Sequence, residues 1–114
     1  MIVKIDIKPE GPENKLNPTS RGKIKVAILS SSSFNAAAQV DMNSLSFGHT
    51  GDEKSLAFCN IHSEDQDHDN HSDLICHFNT RKATFQKGDT VGILKGKLLN
   101  GNAIQGSDSL YLVH

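Results

Sequence analysis

Tryptophan is absent from this 114-residue chain, tyrosine occurs once, cysteine twice and proline three times. Each shortage excludes something. With aromatics at 5% and hydrophobic residues at 36%, a core must come mainly from short aliphatic runs, which suits thin sheets. Sugar stacking needs exposed aromatic rings, and the supply here is too small for it. No apolar run approaches the roughly 20 residues of a membrane span, so no membrane insertion is expected. Met1-Ile2-Val3-Lys4-Ile5-Asp6-Ile7-Lys8 is too short and too charged for a signal peptide, and the chain as it stands reads as cytoplasmic. Lys and Arg number 12 against 13 Asp and Glu, for a net charge of -1, and the basic residues are scattered. A nucleic-acid partner would require a basic stripe, so none is expected. Gly92, Gly96 and Gly101 lie in strand and turn segments with no helix following, so a glycine-rich phosphate cradle is also missing.

The two cysteines, Cys59 and Cys76, can form one bridge at most. If the segments flanking the stretch between them pair as a hairpin with Glu64 opposite Leu74, Cys76 faces His62. Cys59 then lies three residues out of register, and buried free thiols are expected.

What is present is a series of strand and turn signals within a length suited to one domain, residues 1–114. Val3, Ile5 and Ile7 alternate with Lys4, Asp6 and Lys8, the pattern of a half-buried strand from Ile2 to Lys8. Six turn formers between Pro9 and Pro18 exclude helix there. Ile24, Val26 and Ile28 alternate again, and Ala27 and Leu29 mark a second covered face, so Lys23–Ser30 is expected to be a central strand. The serine run Ser30–Ser33 leads into Phe34-Asn35-Ala36-Ala37-Ala38, one short helix at most, with serine as its cap. Ser44–Phe47, Ser55–His62, Leu74–Phe78 and Thr90–Leu99 read as further strands. Asn100-Gly101 predicts a two-residue type I′ hairpin turn, with a return strand at Asn102–Gln105. Gly106-Ser107-Asp108 predicts a turn into a last strand, Ser109–Val113. The fold class expected is an all-β, single-domain antiparallel β-sandwich of the Ig-like, Greek-key kind, with about seven or eight short strands.

One stretch carries a recognisable chemistry. Between Ser63 and Phe78, Asp65, Asp67 and Asp69 stand at alternate positions, followed by His71 and Asp73, with an apolar strand beginning at once. Carboxylates this close repel by about 1 kcal/mol per pair at 4 Å even in water, so a compact loop of them calls for a cation. For calcium, Asp65, Asp67 and Asp69 would supply side-chain oxygens, His71 its backbone carbonyl and Asp73 a closing carboxylate. An EF-hand is excluded, because its twelfth position needs a bidentate Glu and here holds Cys76. The plain alternative is a solvated acidic hairpin tip, since Asp and Asn are common in turns. A second alternative is a transition-metal hydrolase using His62, His68, His71 and His77, although the spacing of familiar zinc sites is missing.

Ile5-Asp6-Ile7-Lys8-Pro9 with Gly11, then Asn17, Gly22, Val26-Ala27-Ile28-Leu29, Phe47-Gly48, Asp73-Leu74, His77-Phe78 and Gly106-Ser107-Asp108-Ser109 resemble a bacterial and archaeal domain. That domain is often found near the C-termini of large secreted or surface-attached proteins. The resemblance covers nearly the whole chain. It implies a β-sandwich with no established enzymatic activity and an Asp-x-Asn-x-Asp-Gly-x-x-Asp calcium-type loop where Asp65–Asp73 falls. Here His68 and Asn70 stand where glycines are usual, and Asp67 replaces the common asparagine.

The function expected is that of a non-catalytic, calcium-stabilised structural or interaction module, with Ca2+ its one cofactor and a protein or surface partner. A carbohydrate- or protein-binding sandwich is the remaining alternative. No serine, cysteine or histidine stands in a known catalytic context, so no catalytic residue is assigned. An exposed strand edge could pair two chains into a homo-oligomer.

Overall fold

The computed structural model describes residues 1–7, 15–16, 21–60 and 73–112. The strands are β1 (Ile5–Ile7), β2 (Lys15–Leu16), β3 (Lys23–Ile28), β4 (Val40–Gly48), β5 (Leu56–Cys59), β6 (Leu74–Asn79), β7 (Val91–Leu98), β8 (Ala103–Ser109) and β9 (Tyr111–Leu112). A one-turn helix, α1 (Ala36–Gln39), and a 3-10 turn, Arg81–Ala83, complete the elements.

Seven strands form two antiparallel sheets, ordered β1-β3-β6-β5 and β4-β7-β8, and β2 pairs with β9 in a two-residue parallel ladder. Lettered in chain order without the two-residue strands, the sheets are A-B-E-D and C-F-G, the arrangement of a constant-type immunoglobulin sandwich. The expected β-sandwich is therefore the observed fold. β3 lies between β1 and β6, paired from Lys23↔Asn79 to Ile28↔Leu74, and is central as its two-sided apolar pattern requires.

Inward residues from both sheets make one core. β3 contributes Ile24, Val26 and Ile28, β6 contributes Leu74, Cys76 and Phe78, and the facing sheet contributes Leu45, Phe47, Leu94 and Ile104. Phe47 joins the layers, its ring 5.1 Å from Phe78 and 5.7 Å, edge-on, from Phe85. These are tilted and T-shaped contacts that favour the ring quadrupoles. Ala27 and Ile75, on the opposite face of their strands, are also fully buried.

Several boundaries differ from expectation, each for a packing reason. The first strand is divided between the sheets. Val3 N–H donates to Gln105 O (2.9 Å) and Gln105 N–H to Met1 O (3.0 Å), so the N-terminus runs parallel to β8. Ile5–Ile7 then crosses to β3. Lys8 and most of the loop from Pro9 to Pro18 lie outside the described residues.

Gly106-Ser107-Asp108, expected as a turn, lies inside β8, and the strand expected from Ser109 is reduced to Tyr111–Leu112 among the described residues. A Cβ on Gly106 would stand 2.7 Å from Val3 O and 3.0 Å from Ile5 Cγ2. This glycine serves the close approach of the N-terminal segment rather than a turn.

The β7–β8 hairpin closes near Asn100-Gly101 as expected, but with three loop residues. Gly101 N–H donates to Leu98 O, Leu98 N–H donates to Asn102 O, and only Gly101 takes a positive φ, +92°. This is a type I turn with a G1 bulge in place of type I′.

The cap of α1 is Asn35 rather than a serine: its side chain accepts from Ala38 N–H, and Gln39 Oε1 accepts from Asn35 N–H. β4 begins at Val40, earlier than expected, and its pairing with β7 shifts between Asp41 and Ser46. Ser44 fills the irregularity, its Oγ accepting from Lys97 N–H (2.8 Å) and donating to Asp41 O (2.6 Å).

Because the obstacle at Gly106 is partly backbone, Gly106→Ala should destabilise the protein by about 1–3 kcal/mol, the usual range for overpacking. Urea unfolding at fixed slope measures it. Wild-type stability in this variant would mean that the N-terminal segment does not pack on β8.

Candidate functional site

Topology gathers the connections 29–39 and 99–102, the end of β5 at Asn60 and the start of β6 at Asp73 at one end of the sandwich, together with the N-terminus. Ile28 pairs with Leu74, Cys59 with Cys76 and Val40 with Leu98, which fixes that arrangement. Leu99 N–H donates to Gln39 O (2.8 Å), tying the second connection to the first. Of the expected cation ligands, Asp65, Asp67, Asp69 and His71 lie outside the described residues. Asp73 is described, and it is fully buried.

Asp73 immediately precedes β6. The register Ile28↔Leu74 brings it beside the end of β3, where its Oδ1 accepts from Ser30 N–H at 2.7 Å. Ser30 is itself buried, and its Oγ accepts from Ala36 N–H at 2.9 Å. The carboxylate that would close the acidic loop is thus oriented by a backbone donor, as outer hydrogen bonds orient ligating carboxylates at metal sites. The serine run is a tight turn, with Ser31 and Phe34 exchanging N–H···O bonds of 2.8 and 3.3 Å.

The cysteines correct the sequence reading. Cys59 and Cys76 form a disulfide, directly opposed across β5 and β6 with Cα atoms 3.9 Å apart. The expected register, with Glu64 opposite Leu74, is replaced by Leu56↔Phe78, Phe58↔His77 and Cys59↔Cys76, with an irregularity between Leu56 and Phe58. Its cause is visible in the side chains. Leu56 and Cys59 both pack on the core, while Phe58 turns outward and stacks on His77, centroids 4.4 Å apart. A bulge at Ala57–Phe58 lets both requirements be met. The bond closes a segment spanning 17 positions, Asp65–Asp73 included. A closure of that length contributes about 3 kcal/mol in the chain-entropy account.

The transition-metal alternative gains nothing from these residues. Cys76 Sγ is committed to the disulfide, His77 lies against Phe58 with its Nε2 3.3 Å from Asn60 Oδ1, and His62 and His68 lie outside the described residues. Among the described residues no group of three His, Cys, Asp or Glu side chains could hold a metal ion. Phe58 is 49% exposed, an outward aromatic that residue counting missed. The one signal that could have found it is the odd spacing between Leu56 and Cys59, which a regular strand cannot place on one face.

Two polar clusters mark the opposite end. Glu53 accepts from Thr50 N–H (3.0 and 3.1 Å), Gly51 N–H (2.9 Å) and the Thr50 hydroxyl (2.8 Å). Burial pushes its pKa up, but these donors outweigh burial and hold it below the ordinary value. His49 Nδ1 meets Asp89 Oδ2 at 2.7 Å, and the same oxygen accepts from Gln86 N–H at 2.8 Å. Both clusters tie turns together. Thr84, the one described non-glycine with positive φ (+56°), caps the 3-10 turn, its hydroxyl 3.4 Å from Glu53 Oε2.

In comparisons with known proteins, no family model, no curated protein and no solved structure matched the chain. Among the described residues no helix is long and apolar enough to cross a membrane. Met1–Val3 runs alongside the start of β8, bonded to Gln105.

Two outcomes follow from this end of the molecule. Cys59→Ser with Cys76→Ser should lower stability by about 2–4 kcal/mol in denaturant titration, and the native protein should show no titratable thiol. Asp73→Ala should cost about 1–3 kcal/mol, because Ser30 N–H loses its buried acceptor. A fully reactive thiol pair in the folded protein purified without reductant would contradict the disulfide.

A third outcome concerns pH. Asp6 is raised above its ordinary value by burial and then by the nearby Asp108 carboxylate, which accepts from Ile7 N–H at 2.9 Å. A group raised in the folded state contributes stability that is full below the unfolded carboxylate range and lost as pH rises through the folded value. Asp6→Asn should therefore be more stable than wild type at pH 7, with the gap closing below about pH 4. A gap that widens on acidification would reverse the sign.

Proposed function

We propose that the chain is a non-catalytic, calcium-stabilised β-sandwich module of the bacterial and archaeal surface-protein kind that its sequence resembles, serving a structural or interaction role. The observation that carries the reading is the buried Asp73 carboxylate, oriented by Ser30 N–H where the acidic segment re-enters the core sheet. Asp65, Asp67 and Asp69 would hold the ion through side-chain oxygens, His71 through its carbonyl, and Asp73 would close the set. Calcium would supply the positive charge that lets these carboxylates approach one another, securing the connection between β5 and β6. The disulfide supports a working place in an oxidising compartment, outside the cytoplasm, where such bonds persist. The partner is a protein or surface of the larger assembly to which modules of this kind belong.

An ion that binds only the folded state adds about 2.7 kcal/mol at one hundred times its dissociation constant. Calcium should raise the melting temperature, chelator should reverse the rise, and Asp67→Ala with Asp69→Ala should abolish it. Superimposable melting curves with calcium, with chelator and in the double variant would end the calcium reading.

A further inference from the structure

We propose that Asn100 is a modification site: its side-chain amide cyclises onto the Gly101 nitrogen and opens in water to an aspartyl or isoaspartyl residue. The proposal is independent of any bound ion. Asparagine amides are chemically labile, and the nitrogen of the following residue is the internal nucleophile. Asn100 alone among the asparagines of the chain precedes a glycine. A glycine nitrogen has no β-carbon beside it, and the place a β-carbon would take at Gly101 has no atom within 4 Å. Both residues are exposed at the end of the β7–β8 hairpin, so water can enter and ammonia can leave.

The native loop orients the amide and restrains the nucleophile. Asn100 Oδ1 accepts from Asn102 N–H at 3.0 Å, which bends the side chain forward over Gly101. The same donor stands at the oxygen on which negative charge gathers during attack. A second bond works the other way. Gly101 N–H donates to Leu98 O at 2.9 Å and closes the three-residue loop, but the nitrogen of the cyclic imide carries no hydrogen. Ring formation therefore abolishes that bond, and the hairpin end has to open locally before the amide reacts.

Hydroxide removes the Gly101 amide proton, the nitrogen bonds to Asn100 Cγ, and the bond from Cγ to the side-chain nitrogen breaks, releasing ammonia. Water then adds to one of the two imide carbonyls. Addition at Cγ restores the main chain and leaves an aspartate. Addition at the main-chain carbonyl leaves the chain running through the former side chain, with a free α-carboxylate. In sum, one amide and one water become one carboxylic acid and one ammonia, with no change of oxidation state. The isoaspartyl product lengthens the loop by one carbon between Leu98 and Asn102. On either side of it, Leu99 N–H is bonded to Gln39 O (2.8 Å) and the Met1 ammonium to Ala103 O (3.0 Å). This one-way change thus falls where the N-terminus and the 29–39 connection are tied to the hairpin.

The experiment incubates the full chain in mildly alkaline buffer, either folded or unfolded in urea, and follows it by peptide mass mapping. Isoaspartyl residues are counted by enzymatic methylation of their free α-carboxyl group. The expected result is a single early site at residue 100, seen as the mass gain of one amide-to-acid exchange. Conversion in the folded chain is about tenfold slower than in urea, the factor to which loss of one ordinary hydrogen bond corresponds. Asn100→Gln, an exposed replacement whose larger ring forms far more slowly, shows no such gain over the same interval. Equal rates in the folded and unfolded chains overturn the restraint by Leu98 O. A folded chain still unconverted when conversion in urea is complete overturns the site, and earlier conversion at another asparagine overturns the assignment to Asn100.

Discussion

The pairing of β3 with β6 is the interaction on which the rest of the molecule depends. Its register sets Ile24, Val26 and Ile28 beside Phe78, Cys76 and Leu74 on one inner face, and the second sheet has only to cover that face with Phe47, Leu94 and Ile104. The same register places Ser30 beside Asp73. A shift of one residue would turn the apolar set outward and separate that donor from that acceptor together. Core packing and the buried polar contact at the loop end therefore specify the same alignment, the kind of agreement between levels that gives a sequence one fold.

Around this pair the edges are closed by different means. Met1–Val3 runs alongside the start of β8, Ser44 fills the irregular stretch of β4 with its own hydroxyl, and the disulfide holds β5. Short, bulged or covered edges are ways in which sheets blunt unpaired strand edges. The bulge in β5 has a second effect, because it turns Phe58 outward while Leu56 and Cys59 stay on the core side.

The strands that the sequence made plain are those with one unbroken apolar face. Ile5 and Ile7, then Ile24, Val26 and Ile28, then Leu74, Cys76 and Phe78 each form such a face, and all three segments are strands. Two-sheet packing followed from many short strands and few aromatics. What stayed hidden depends on distant contacts. Gly106 looks like a turn residue until Val3 is placed against it, and Asn100 looks like half of a type I′ turn until Gly101 alone takes the left-handed conformation. The disulfide stayed hidden because its register passes through a bulge, which no alternation rule counts. At the candidate site, the acidic spacing singled out Asp73, but its burial and its bond to Ser30 come from the β3–β6 register. No local pattern contains that information.

The central claim is that the acidic segment between β5 and β6 is a cation loop closed by Asp73. An amide nitrogen–proton correlation spectrum of the oxidised protein, titrated with calcium, tests it most directly. The account predicts saturable shifts at one equivalent for Ser30, Asn60 and Leu74, with Thr50, Gly51 and Glu53 at the far end unmoved. Unchanged spectra, or shifts confined to the Thr50–Glu53 turn, would contradict it.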